Sequence, residues 1–192
     1  LEVAAQNPLN LLDIYKQLDL TGVDVLVASA CVQMPSLESI DKIEINDDIT
    51  LITIDSEWFI QDWNKYEYIN KDSEIRNRED FFEEFKSLIN KNQNKVTLVA
   101  IHHPLFSGGD HAGYFSFRKH IFPIKNIPLP ILGSVINYLR KTTGVSPADM
   151  QYKLYQSLIK RLKTIAMNQD QVIFISGHDH NLQYIEQDGV KQ

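Results

Sequence analysis

Two short, almost unbroken apolar runs constrain this chain most: Val96-Thr97-Leu98-Val99-Ala100-Ile101 and Val172-Ile173-Phe174-Ile175. A strand with one wet face alternates apolar and polar residues, whereas a run without alternation predicts a strand covered on both faces of a sheet. The segments around them fit an α/β arrangement. Phe81, Phe82, Phe85, Leu88 and Ile89 recur at helical spacing, which predicts a helix over 78–90 with Glu83, Glu84 and Lys86 facing water. Ser146-Pro147-Ala148-Asp149 reads as a helix start, with Ser as cap and Pro at the first helical position. That helix is predicted over 147–168, with Tyr152, Tyr155, Leu158, Ile159, Leu162 and Ile165 inward, and Lys160, Arg161 and Lys163 near its negative end.

The remaining segments carry weaker patterns. Lys42 to Ile45 and Ile49 to Asp55 predict a hairpin around Asn46-Asp47-Asp48. Asn10 to Asp19 has helix-like spacing and Val23 to Ala30 is rich in strand formers. Trp58 to Arg76 shows no period and reads as a loop, and residues 103–145 read as a loop or lid insertion within which Leu129 to Lys141 is amphipathic. Leu182 to Glu186 and the Asp188-Gly189 turn predict the first half of a hairpin whose partner strand is missing.

At 192 residues, the length suits a single domain, 1–192. The net charge of −6 and the pI of about 5.5 argue against a nucleic-acid partner, which needs a basic face. No apolar run approaches the ~20 residues of a membrane-spanning helix. The single Cys31 rules out an internal disulfide and a thiolate zinc cluster.

The chemical signal lies in the histidines. Of six, four stand in two pairs, His102-His103 and His178-x-His180, and each pair follows one of the two buried strands. A lone histidine at a strand end is ordinarily a hydrogen-bonded surface residue. Two pairs at matched positions point instead to a metal centre, because imidazole is a common metal ligand and sheet edges are rigid platforms.

His102-His103-Pro104 and Gly177-His178-Asp179-His180, each after its strand, resemble the late motifs of calcineurin-like metallophosphoesterases, including purple acid phosphatases. The resemblance implies an α/β fold, a β-sandwich flanked by helices, of which this chain holds the C-terminal portion. It further implies hydrolysis of a small phosphate ester at two divalent metal ions (Mn, Fe or Zn), with His102, His178 and His180 as ligands. His111, nine positions after His102, would be the general acid and contact substrate. His103 would orient a ligand or touch the phosphate. Asp179 is read as bracing the loop, His120 as structural and Asp55 as holding a turn. The family's earlier blocks, Asp-x-His, Gly-Asp-x-x-Asp and Gly-Asn-His, do not occur here, which implies a missing N-terminal part of the same domain. The Ile-Thr-Leu-Ile-Thr-Ile-Asp-Ser-Glu-Trp segment and the Pro-rich stretch after His103 resemble exported bacterial members, implying the cell envelope or periplasm. Two alternatives stand beside this reading: a phosphoesterase-like protein-interaction module without chemistry, and a hydrolase with one metal held by His102, His178 and His180.

Overall fold

The computed structural model describes residues 39–65, 74–124, 127–179 and 182–192. The helix expected over Asn10 to Asp19 and the strand over Val23 to Ala30 lie outside the described residues. The described part is an α/β unit built on one mixed six-stranded sheet. Its strands are β1 (Ile40–Glu44), β2 (Ile49–Ile54), β3 (Val96–Ile101), β4 (Val172–Ser176), β5 (Glu186–Gln187) and β6 (Val190–Lys191), in spatial order β1-β2-β3-β4-β6-β5. A sandwich needs two packed sheets. The described residues form one, with helices against it.

β1 and β2 form the expected antiparallel hairpin, with Ile40 opposite Ile54. The two apolar runs form β3 and β4, in parallel register with β2 and with each other: Ile54 stands opposite Ile101, and Ile101 opposite Ser176. Side chains alternate across a sheet, so Ile52, Ile54, Val99, Ile101, Val172 and Phe174 share one face and enter the core. Three helices join them there: α1 (Ser56–Ile60), α2 (Arg78–Lys91) and, five-sixths of the way along the chain, α5 (Lys153–Ala166). Trp58, Phe59, Phe81, Phe82, Phe85 and Tyr155 fill the space between them. The Asn77 side chain caps α2 by accepting from the amides of Glu79 and Asp80. Two further helices, α3 (Phe117–Ile121) and α4 (Pro130–Thr143), pack on each other between β3 and α5.

Three local expectations change. Trp58 to Arg76 is not wholly loop, since α1 and a short 3-10 turn over Trp63–Lys65 lie at its start. The Asp55 carboxylate accepts from the Trp58 amide and opens α1, which a search for longer periodicities passes over. Ser146-Pro147-Ala148-Asp149 is a turn, and the helix begins at Lys153. The Asp149 carboxylate, 1% exposed, reaches back to the amides of Val145 and Ser146 and pairs with Arg140, so it closes the chain on itself where a helix would have propagated. The last hairpin is complete: β5 pairs with β6, which also joins β4.

Candidate metal centre

Parallel strands deliver their following residues to one edge. β2, β3 and β4 therefore bring Asp55-Ser56-Glu57, His102-His103 and Gly177-His178-Asp179 together at the carboxyl end of the sheet. Four imidazoles meet there. The His178 ring is the hub, with ring centroids 4.0 Å from His111, 4.5 Å from His103 and 5.0 Å from His102. His102, His103 and His178 each offer a ligand nitrogen within 4.8 Å of the other two. His180 lies outside the described residues.

The tautomer of His178 follows from its partner. A carbonyl can only accept, so His178 Nε2 carries the proton it donates to Ala148 O at 3.0 Å, and Nδ1 is the nitrogen with the lone pair. That Nδ1 accepts a hydrogen bond from His102 Nε2 at 3.1 Å, the contact an ion held between the two nitrogens would replace. Two imidazole nitrogens at ~2.0–2.1 Å from a shared ion stand about 2.9 Å apart at a right angle and about 3.4 Å apart at the tetrahedral angle. The observed separation falls between these values. His178 holds this position at a φ of 67°, in the left-handed region that side chains with a Cβ adopt at some cost.

The His103 and His178 imidazoles are neutral at ordinary pH. Burial pushes His103 down to about 2, with repulsion from His178, His102 and His111 adding to it. Burial pushes His178 down to about 4, against the hydrogen bond to Ala148 that favours the proton. His103 is the most enclosed of the group, 1% exposed. Its Nδ1 is 2.7 Å from Ser56 Oγ, which also accepts from the His103 amide at 3.2 Å, and its Nε2 lies 3.8 Å from a Glu57 carboxylate oxygen. Burial raises that Glu57 carboxyl, with a hydrogen bond from Gln61 opposing. These contacts fit His103 as a support for the other rings, with both its nitrogens turned towards the start of α1.

His111 sits in a 3-10 turn over Asp110–Ala112, its ring tilted across His178 and its buried Nδ1 without a hydrogen-bond partner. Asp179 holds that turn: its carboxylate accepts from the Ser107 hydroxyl and from the His111 amide. The carboxylate also fills the space a side chain would take at Gly109, where an added Cβ would lie 2.5 Å from Asp179 Cγ. His120 stands apart, its Nδ1 3.4 Å from Ser134 Oγ.

Three supporting residues escape sequence reasoning. Ser56 holds His103. The Tyr155 hydroxyl donates to Pro104 O at 2.8 Å while its ring packs edge-on against His103 at 5.1 Å. The Gln192 side chain clamps the loop after His103, accepting from the amides of Leu105 and Phe106 and donating to Phe106 O. Ser56 follows directly on the Asp55 cap, a signal that could have drawn attention to it. Helical spacing places Tyr155 inward but does not point its hydroxyl at Pro104, and Gln192 carries no signal.

No family model matches the chain, and no solved structure matches it. Curated relatives do, over a short stretch. Maleate isomerase of Geobacillus stearothermophilus is 52% identical over 44 residues, 23% of this chain and 18% of the relative. Maleate isomerase of Alcaligenes faecalis is 55% identical over 42 residues, 22% of this chain and 17% of the relative. The Pseudomonas putida maleate isomerase is 54% identical over 44 residues, again 23% and 18%. The chain thus spans under a fifth of the length of the curated relatives it matches.

These relatives overturn the resemblance to calcineurin-like metallophosphoesterases. They are isomerases by name, so hydrolase, phosphatase and phosphate-ester chemistry are withdrawn, together with the phosphoesterase-like interaction module and the one-metal hydrolase. The missing N-terminal part rested on the same resemblance. The physical reason is the brevity of the motifs. His-His-Pro and Gly-His-x-His describe what any imidazole cluster at a sheet edge needs, and the longer carboxylate blocks that would have identified that family are absent from the chain.

Proposed function

We propose that this chain is a metal-binding protein whose histidine cluster holds a single borderline divalent ion, Zn²⁺ or Fe²⁺. The observation that carries the reading is the pair His102 Nε2 and His178 Nδ1, 3.1 Å apart, with His178 turned into the ligating tautomer by Ala148 O. His102 and His178 are the ligands, and His180, two positions after His178 in the sequence, is proposed as the third. Imidazole nitrogen selects such ions over Mg²⁺ and Ca²⁺, which prefer oxygen. Among the described residues the group able to hold an ion is His102, His103 and His178, with no carboxylate in it, which suits one ion. When bound, the ion would supply a Lewis acid at the sheet edge. The buried His103, fixed by Ser56, keeps the other two rings in place, and His111 closes the cluster on its outer side.

The test is metal content. Chain stripped with chelator, loaded with Zn²⁺ and dialysed should retain about one ion, and His102→Ala or His178→Ala should retain at least ten-fold less. Cobalt substitution should give the intense visible bands of a low-symmetry nitrogen site. Retention of no ion by the parent chain would end the proposal.

A second reading rests on the short match to maleate isomerases. On it, the protein isomerises maleate or a similar small dicarboxylate. Proton NMR of the chain mixed with maleate would show the trans isomer accumulating, and no conversion with either the metal-loaded or the stripped chain removes that reading while leaving the metal site standing.

A further inference from the structure

Helix α4 is packed the wrong way round for a helix that serves a core. Its buried residues are Gly133 and Asn137, and its large apolar side chains look outward: Ile131 (82% exposed), Leu132, Val135, Ile136, Tyr138 and Leu139. At about 100° per residue these six cover an arc of roughly 160°. Gly133 fixes the orientation. A Cβ there would lie 2.3 Å from His120 O, so α4 can approach α3 closely only through this position, and the apolar arc is turned away. α3 and the turn after it add Phe117, Ile124 and Ile127, all exposed.

The charge of the same stretch is one-sided. Between Asp110 and Asp149 the sequence holds no Asp or Glu; those two acids pair with Lys119 and Arg140, and Arg118, Lys125 and Lys141 fall in the same stretch beyond them, in a chain of net charge −6. On α4 itself, the exposed Lys141 flanks the outward apolar arc, and the exposed Arg118 lies on the neighbouring α3, while Arg140 is held by Asp149. A second copy of this chain would bring basic rim against basic rim, whereas an anionic lipid surface complements it. At about 1.5 Å per residue the 14-residue α4 is about 21 Å long, too short for the ~30 Å hydrocarbon layer, so it would lie in the interface. No described helix is long and apolar enough to cross a membrane. The exposed Tyr138 and Tyr114 rings are of the type enriched at headgroup depth.

We infer that the α3–α4 hairpin docks this protein on an anionic bilayer surface. The segment is tied to the histidine cluster at both ends, through the His111 ring tilted across His178 and through Ala148 O, which accepts from His178 Nε2. Docking would therefore hold the cluster next to the membrane, and it stands or falls independently of whether that cluster binds metal.

Sedimentation with sucrose-loaded vesicles tests this on the full chain. Vesicles of equal parts phosphatidylcholine and phosphatidylglycerol should carry the protein down about ten-fold more strongly than phosphatidylcholine alone, and raised salt should weaken the binding. The double change Ile131→Glu, Val135→Glu should abolish it. Arg118→Glu, which removes one positive charge and adds a negative one at an exposed position, should weaken it about 25-fold, taking about five-fold per charge. If the double variant fails to fold, Arg118→Glu and the salt series decide the matter on folded protein. Equal failure to sediment with both vesicle types overturns the proposal. So does light scattering that shows twice the chain mass without lipid and a monomer in the double variant, because a second copy then covers the face.

Discussion

Metal-free protein should lose stability as the pH falls from 8 to 5, and the loss should trace largely to His103. Both His103 and His178 have folded pKa values below the unfolded value of 6.5, at about 2 and about 4. Above 6.5 they are neutral in both states. Below it the unfolded chain takes up protons that the folded chain refuses, so unfolding gains about 1.4 kcal/mol per group for each further pH unit. For His103 this amounts to about 2 kcal/mol at pH 5, and it keeps growing until the pH reaches the folded value near 2. His178 is less enclosed, and screening by solvent reduces its share to about 1 kcal/mol over the same interval.

The assay is urea unfolding in chelator at several pH values, for the parent chain and for His103→Gln. The parent should lose about 3 kcal/mol between pH 8 and 5, and the variant only about 1. Carboxylates confuse this window little. Lys42 and Lys95 hold the Glu44 carboxyl down at about 2, so it titrates lower. The raised Glu57 acts with the opposite sign, taking up its proton first in the folded state, and it is present in both proteins. A parent stability that is flat over this range, or one with the same slope in His103→Gln, would refute the view that His103 is buried and neutral.

Three further outcomes follow from the packing. Asp149→Ala leaves the Arg140 guanidinium and the Val145 and Ser146 amides without their acceptor, and should cost about 3 kcal/mol in urea unfolding, against near neutrality for an exposed acid such as Glu83. Because His178 has a positive φ, His178→Gly should be about 1 kcal/mol more stable than His178→Ala, while both lose the ion. Tyr155→Phe removes the donor to the buried Pro104 carbonyl and should lower stability by about 1–2 kcal/mol without changing the number of ions bound.

The parts of the fold that were legible before the structure are those fixed by local periodicity. β3, β4 and α2 follow from unbroken or helically spaced apolar residues, and the parallel pairing of β3 with β4 explains why histidines widely separated in sequence become neighbours. What stayed hidden depends on contacts that no local pattern encodes. Ser56 reaches His103 across 47 residues, Tyr155 reaches Pro104 across 51, and Gln192 reaches Phe106 across 86. The Ser146-Pro147 signal failed because Asp149 found Arg140, a tertiary partner, and was drawn into a turn. The family resemblance failed for a related reason: a few letters at two strand ends specify a chemistry of imidazoles and too little else.

α4 shows the limit most sharply. Its sequence announces an amphipathic helix, and periodicity identifies which residues share the apolar arc, but it carries no sign of whether that arc faces the core or the solvent. That sign comes from the other side of the helix, where Gly133 admits the His120 carbonyl and Asn137 is buried. Gly133→Leu should therefore push α3 and α4 apart, and its cost in stability should exceed the ~1 kcal/mol gained elsewhere by replacing a helical glycine. An equal or higher stability would mean that α4 can turn its apolar arc inward, and the outward face would lose its claim to a partner.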